Sequence, residues 1–313
     1  MRFNQVIDLI DAITQVYHRL IQFKASIDMS VVKSTIKQII PTSIWSKLRL
    51  WNLQRKVARF PARRVQHLYG GHRLEIQLLD GLAAGWYDHD WEELPEIAVL
   101  RSHRLKPGAR VFDLGAHQGV VALMLAREVG PEGQVIAVEA NPHNQRVALL
   151  NRDLNNSPQI QVVHAAVADT RGTLVFNQGL NGQVDDGEGA WGEIEVASRT
   201  IDDLAREYGT PDVLFIDVEG FECHALRGAK ETLESRPDCF VEVHVNHGLE
   251  KFGGSVDSVL QFFPRDEYQF QIAQENHNQG RFEPYQPESP LIKDRFFLLA
   301  LHKGSPPTSG RNG

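Results

Sequence analysis

Val111–Gly119 reads Val-Phe-Asp-Leu-Gly-Ala-His-Gln-Gly, and its reading decides the fold. Arg110–Leu114 is a short apolar run interrupted by one acid, Asp113. Gly115 breaks that run, and from Gly119 onward Val120, Val121, Leu123, Met124 and Leu125 wrap around a helix. Strand, glycine turn and helix start are the grammar of a nucleotide-binding βα unit. Gly115 lets the backbone turn where a Cβ would clash, and Gly119 is expected to let a ligand approach the helix N-terminus. A buried strand that ends in an acid is costly unless a ligand or donor meets that acid.

Two ligand classes use such a turn. Dinucleotide sites want Gly-x-Gly-x-x-Gly, so that backbone N–H groups receive a pyrophosphate. Here Ala116 and His117 follow the first glycine, the next glycine is Gly119, and Asp113 sits inside the would-be phosphate site. A carboxylate repels a pyrophosphate but suits the cationic methionine end of S-adenosylmethionine. Gln134–Glu139 reads as a second strand closed by Glu139, about twenty-five residues on, where an acid can accept from both ribose hydroxyls. Asn141 is placed to cap the following helix, with Pro142 in its first turn.

Downstream the pattern is regular. Strand Ile160–His164 is followed by two hairpin strands, Arg171–Asn177 and Gly192–Ser198, joined by a loop rich in glycine and acid. A helix Thr200–Tyr208 carries Thr200 and Asp203 at capping-box spacing. Strand Pro211–Val218 delivers Asp217 and Glu219 at its end, helix Phe221–Glu234 follows, and strand Cys239–Val245 ends at His244, with His247 just beyond. Tyr268–Ala273 and Arg295–His302 are expected to close the sheet as an antiparallel pair. Alternating strands and helices imply a parallel sheet with right-handed crossovers. The expected fold is therefore α/β, a doubly wound Rossmann-like sheet over 106–304, with a mainly helical extension over 1–105 and a disordered tail over 305–313.

The extension carries amphipathic helical patterns over Met1–Phe23, Val31–Ile40 and Ile44–Val57. Between Met29 and Leu74 there is no acid, whereas Lys33, Lys37, Lys47, Arg49, Arg55, Lys56, Arg59, Arg63 and Arg64 interleave with Trp45, Trp51 and Phe60. Residues 30–64 suit peripheral contact with an anionic membrane or an acidic partner; the plainer and preferred account is a helical cap whose apolar side packs on the core while its basic side is solvated. Trp86, Tyr87, Asp88, His89, Asp90 and Trp91 form an aromatic-acidic cluster, fit either to wall a substrate pocket or to lock the cap in place. A net charge of -7 over 313 residues argues against a nucleic-acid binder. Cys223 and Cys239 lack metal-ligand spacing, and with no membrane span or secretory signal in the sequence the expected location is cytoplasmic.

Five blocks together resemble the FkbM family of S-adenosylmethionine-dependent methyltransferases: Asp113–Gly119, Val138–Pro142, Ala165–Asp169, Ser198–Leu204 and Phe215–Glu222. They span roughly Gly108–Glu242 in the expected order, and Ile-Asp-Val-Glu-Gly (Ile216–Gly220) is the most family-specific. His117 and Ala140 depart from the commoner Asn and Pro of that family. The resemblance implies a sheet of about seven strands, the last two antiparallel, and O-methylation. By position it implies a cofactor set of Asp113, Gly115, Ala116, His117, Gly119, Glu139, Asn141, Asp169 and Asp217.

Methyl transfer from a sulfonium needs alignment of the acceptor and, for a hydroxyl, removal of its proton. Asp217, Glu219 and His244, with His247 as a further candidate, lie at the carboxyl edge of the sheet where such groups must sit. Asp217 and Glu219 are two apart in an extended end, so both side chains can face one side. Close carboxylates raise one another's pKa or share a divalent cation. A metal is not favoured, because no set has compelling ligand spacing. The plainer account has Glu219 capping the next helix and Asp217 bonding backbone. The expected function is O-methylation of a small-molecule or glycan hydroxyl; the alternative is a non-catalytic cofactor-binding module docked through its basic segment.

Overall fold

A computed structural model describes residues 42–177, 179–181, 183–184, 193–274, 281–286 and 294–304. The chain divides into two units, Met1–Trp45 and Ser46–Gly313. The helical patterns expected over Met1–Phe23 and Val31–Ile40, most of the loop between the hairpin strands, and the tail lie outside the described residues.

Strands are numbered β1 to β14 along the chain. The central sheet runs β13-β12-β14-β11-β10-β3-β4-β5. Its members are β3 (Arg110–Leu114), β4 (Gln134–Glu139), β5 (Ile160–His164), β10 (Val213–Ile216), β11 (Asp238–Val243), β12 (Tyr268–Ala273), β13 (Glu283–Pro284) and β14 (Phe296–His302). β3, β4, β5, β10 and β11 are parallel, and β14 runs antiparallel to both β11 and β12. Chain order reverses at β3: β4 and β5 lie to one side, β10 and β11 to the other. That switch point opens a crevice at the carboxyl ends of the strands. Strands walled on both faces must be apolar throughout, and Val213–Ile216 is buried at every position. The eighth strand, beyond the seven expected, is a two-residue edge piece where Pro284 lacks only an N–H that an edge does not need.

A second sheet, β6-β9-β7-β8, contains the expected hairpin of β7 (Gly172–Asn177) and β9 (Glu193–Arg199). Its other members, β6 (Ala166–Val167) and β8 (Gln183–Val184), are too short to leave a periodic trace. Helix Ile201–Tyr208 starts with the expected capping box of Thr200 and Asp203. The helix expected over Phe221–Glu234 is instead two, Glu222–Arg227 and Lys230–Glu234. Gly228 breaks it, since a Cβ there would lie 2.2 Å from the Ala168 carbonyl oxygen. Asp202 then caps the second piece, accepting from the backbone N–H of Thr232 at 2.8 Å and of Glu231 at 3.1 Å.

The stretch before β3 is less helical than expected. After helix Thr42–Arg59 comes an antiparallel hairpin of β1 (Arg63–Tyr69) and β2 (His72–Leu78). β1 hides its strand character because only Tyr69 in it is buried. Leu74, Ile76 and Leu78 of β2 join Tyr87, Ile97 and Leu100 in one core with Val111, Leu123, Leu125 and Val135. The hairpin is also latched by side chains. Asn155, at the end of helix Pro142–Leu154, donates Nδ2 to the Glu75 carbonyl at 2.7 Å and accepts the Glu75 N–H at 3.0 Å. One helical turn earlier, Asn151 accepts the Gln77 N–H at 2.8 Å.

No described helix is long and apolar enough to cross a membrane. Trp51 is exposed on helix Thr42–Arg59, with the Arg55 guanidinium 4.4 Å from its ring centre.

Asn155→Ala leaves two half-buried backbone groups of Glu75 without partners, a loss of about 1–3 kcal/mol. The expected outcome is a fall in Tm of about 2–8 °C with the circular-dichroism spectrum retained. An unchanged Tm would show that the latch contributes nothing.

Candidate active site

The glycine turn after β3 is closed by its own backbone. Gly115 has φ 94°, and a Cβ on it would lie 1.7 Å from the Asp217 carbonyl oxygen, so this position admits only glycine. The N–H groups of Gly115 and Ala116 both donate to the Val138 carbonyl, at 2.9 and 3.0 Å. The His117 N–H donates to Glu139 Oε2 at 2.8 Å, and the Gly119 N–H to the Ala116 carbonyl at 2.8 Å. A pyrophosphate cradle needs such donors free; here they are spent, and the dinucleotide alternative falls. Gly119 serves packing rather than ligand approach: its α-carbon faces Ala148, whose Cβ would be 3.1 Å from an added Cβ.

Above the turn lies a cavity of about 590 Å³, ample for a nucleoside-sized ligand. Of the expected cofactor set, Asp113, Gly115, Ala116, His117, Glu139 and Asp217 line it. Gly119, Asn141 and Asp169 do not. Asn141 spends Oδ1 capping its helix at the His143 and Asn144 N–H groups, and its Nδ2 on the Gly179 carbonyl at 2.7 Å. Asp169 is paired with His224 at 3.0 Å and Arg227 at 4.0 Å. Trp86, Tyr87, His89 and Trp91 wall another side, and Glu219, Glu242 and Arg295 stand at the far end. The aromatic cluster therefore both lines the cavity and packs on the core, Tyr87 lying 5.6 Å from Trp91.

The floor of the cavity is electrostatically unfinished. Burial pushes Asp113 up to about 7, and its Oδ2 has no hydrogen-bond partner. Burial pushes Glu139 up to about 8 against the lowering effect of the Asn141 and His117 N–H groups, which its two oxygens accept at 2.7 and 2.8 Å. Each Glu139 oxygen keeps a second lone pair. Burial holds His117 down at about 4, and its Nδ1 meets the Tyr87 hydroxyl at 2.7 Å. A ligand with a cationic end and a vicinal diol supplies what these groups lack. S-adenosylmethionine has both, and the residues fit it.

At the far end acids converge on His244. Its Nε2 lies 3.8 Å from Asp217 Oδ1, 3.5 Å from Glu219 Oε2 and 3.5 Å from Glu242 Oε1. Its Nδ1 lies 2.7 Å from Oε1 of Glu222, a fully buried acid that also accepts the Gly220 N–H at 2.8 Å. Burial, then Glu242 and Glu219, push Asp217 well above the usual carboxylate range. Burial alone would depress His244, but Glu222 and the surrounding carboxylates raise it to about 9. Glu219 holds φ 51°, a left-handed conformation that aims its carboxylate inward at a cost of about 1 kcal/mol. His247 is not part of this group; it is exposed and paired with Asp294 at 3.3 Å. Glu242 and Arg295 are additions to the candidates. Glu242 was visible as the lone acid in an apolar strand, two residues before His244 and so on the same face.

Comparison with known proteins places these features in a context. The family model for the methyltransferase FkbM domain matches residues 113–272. A catechol O-methyltransferase of Mycobacterium tuberculosis is 34% identical over 102 residues, which are 30% of this chain and 46% of that enzyme. The chain thus spans less than half the length of that relative. Among solved structures, a methyltransferase FkbM from Methylobacillus flagellatus aligns at 18% identity and TM-score 0.40, covering 61% of this chain and 43% of that one. An S-adenosylmethionine-dependent O-methyltransferase from Thermotoga maritima aligns at 13% identity and TM-score 0.40, covering 77% of each chain.

The two floor acids carry a pH signature. Asp113 and Glu139 rise from ordinary values of 3.8 and 4.5 to about 7 and about 8. Between those limits the folded protein holds protons that the unfolded chain has released, so their burial lowers stability increasingly as pH rises and fully above about 8. His117 acts oppositely below its ordinary value, so a variant difference isolates the acid. Asp113→Asn should gain on wild type by on the order of 2–3 kcal/mol between about pH 5 and about pH 8. A difference independent of pH, measured by denaturant melts, would show that Asp113 is ionised in the fold.

Proposed function

Because this chain belongs to the FkbM methyltransferase family, we propose that it is an S-adenosylmethionine-dependent methyltransferase that acts on a hydroxyl oxygen, with the carboxylates at the ends of β10 and β11 taking the proton. The observation that carries this reading is that one cavity joins the acids suited to the cofactor, Asp113 and Glu139, to the group at Asp217, Glu219 and Glu242. When bound, S-adenosylmethionine supplies an electrophilic methyl on a sulfonium.

The protein's own part is alignment and proton removal. Asp113 meets the cationic end of the cofactor and Glu139 the ribose diol. Trp86, Tyr87 and Trp91 offer aromatic faces on which an aromatic ring or the apolar face of a sugar can lie, which suits a small molecule or a glycan. Asp217 is the favoured proton acceptor: it lines the cavity, and its raised pKa brings it nearer the basicity such a role needs. Glu219 supports it, its Oε1 accepting from Asn181 Nδ2 at 2.7 Å. His244, behind them, is a positioning residue. The O-methyl chemistry of the mycobacterial relative supports the choice of oxygen.

In calorimetric titration, S-adenosylmethionine and S-adenosylhomocysteine should bind and NAD should not. Asp217→Asn should lower labelled-methyl transfer on the order of 10²–10⁴-fold while changing cofactor affinity little. A wild-type rate in that variant would remove Asp217 from the reaction.

A further inference from the structure

Four carboxylates, Asp217, Glu219, Glu222 and Glu242, converge on the one imidazole of His244. Glu222 is fully buried and ionisable, and its Oε1 sits 2.7 Å from His244 Nδ1, so that nitrogen carries the proton and donates it. Nε2 then faces Asp217 Oδ1 at 3.8 Å and Glu219 Oε2 and Glu242 Oε1 at 3.5 Å each. The ring is 3% exposed, while the Asp217 side chain keeps 39% exposure. Asp217 Oδ1 is itself buried and has no hydrogen-bond partner.

Either a shared proton or a bound cation can sit between Nε2 and these oxygens, and distance separates the two. A proton on Nε2 draws a carboxylate oxygen to about 2.7–2.9 Å; none stands closer than 3.5 Å. Two donors bound to one ion at about 2.1 Å lie roughly 3.0–3.4 Å apart for octahedral and tetrahedral angles. His244 Nε2 lies 3.5 Å from Glu242 Oε1 and 3.8 Å from Asp217 Oδ1, a little wider than that span, and donor atoms of all three residues fall within 4.8 Å of one another. The buried acid on the far ring nitrogen is what orients a metal-binding imidazole. Arg295, 3.0 Å from Glu242, offsets only part of the negative charge.

We propose that Asp217, Glu242 and His244 form a divalent-cation site, with Glu219 at its edge and Glu222 orienting the imidazole. Carboxylate oxygens with a single imidazole suit Mn²⁺ or a similar hard-to-borderline ion. Asp217, Glu219 and Glu242 also border the cavity, so the ion faces the space where an acceptor hydroxyl would lie. Its binding does not rest on the methyl-transfer reading above; its use in the reaction does, and with the ion bound Asp217 serves as its ligand and Glu219 is the neighbouring carboxylate left to take the proton.

The test therefore measures binding. The metal-stripped full chain is titrated with Mn²⁺ while the electron paramagnetic resonance signal of the free ion is followed. One ion should disappear per chain, and Glu242→Gln should weaken binding at least about tenfold. Asp169→Asn, outside the group, should bind as wild type does. Retained melting temperature and S-adenosylmethionine affinity in Glu242→Gln would exclude misfolding as the cause. Mn²⁺ left free by the wild type at millimolar concentration, or bound equally by Glu242→Gln, would overturn the site. Failure to bind S-adenosylmethionine would instead strike the transfer reading, leaving the metal result standing.

Discussion

The crevice depends on one buried carboxylate. Glu139 closes β4 and hands its two oxygens to two different loops, the His117 N–H of the glycine turn at 2.8 Å and the Asn141 N–H that opens the next helix at 2.7 Å. Two neighbouring βα connections are thus tied to one side chain at the switch point of the sheet. An apolar residue there would leave two backbone donors unpartnered in a dry place, a cost of about 1–3 kcal/mol each. With the acid present the turn is held shut by internal bonds, and what remains open above it is side-chain chemistry.

That distinction separates this site from a phosphate site on a similar sheet. A phosphate loop works by leaving backbone N–H groups unpaired and pointing at the ligand. Here Gly115 and Ala116 share the Val138 carbonyl, and His117 is taken by Glu139. The polarity of the crevice is therefore set by acids rather than amides. Asp113 and Glu139 lie on its floor and Asp217, Glu219 and Glu242 at one end, all lining the same cavity. Such a surface repels anions and favours a ligand that brings positive charge.

The framework was legible because its signals are local. The period change at Gly115, the capping box at Thr200–Asp203 and the Asn141 cap each need only a few consecutive residues, and each appears in the structure. What escaped depends on contacts between distant segments. The break at Gly228 comes from the Ala168 carbonyl, sixty residues back, and β1 is almost wholly exposed, so its strand pairing left no apolar alternation. The site divides the same way. Acids at strand ends were readable from position. That Asp169 turns to His224, that Gly119 packs on Ala148 and that Glu242 completes the group at His244 are tertiary facts.

The Ile-Asp-Val-Glu-Gly segment shows how two distant requirements meet in five residues. Ile216 ends β10 in the core, and the next carbonyl, that of Asp217, lies where a Cβ on Gly115 would have to be. The Asp217 side chain can reach the cavity only because the glycine turn yields that space. Glu219 then takes a left-handed conformation, and Gly220, at φ 97°, passes so close to Gly248 that an added Cβ would come within 2.6 Å of its backbone. The loop is pressed between two glycines of other segments, and Glu222 pins its far side through the Gly220 N–H while holding His244 by the ring. The backbone strain at Glu219 is borne by this packing, which leaves Asp217 and Glu219 little freedom to swing away from the imidazole. The backbone that carries the acids of the site is thereby held by packing against two other segments, and alignment is what the fold contributes to the chemistry.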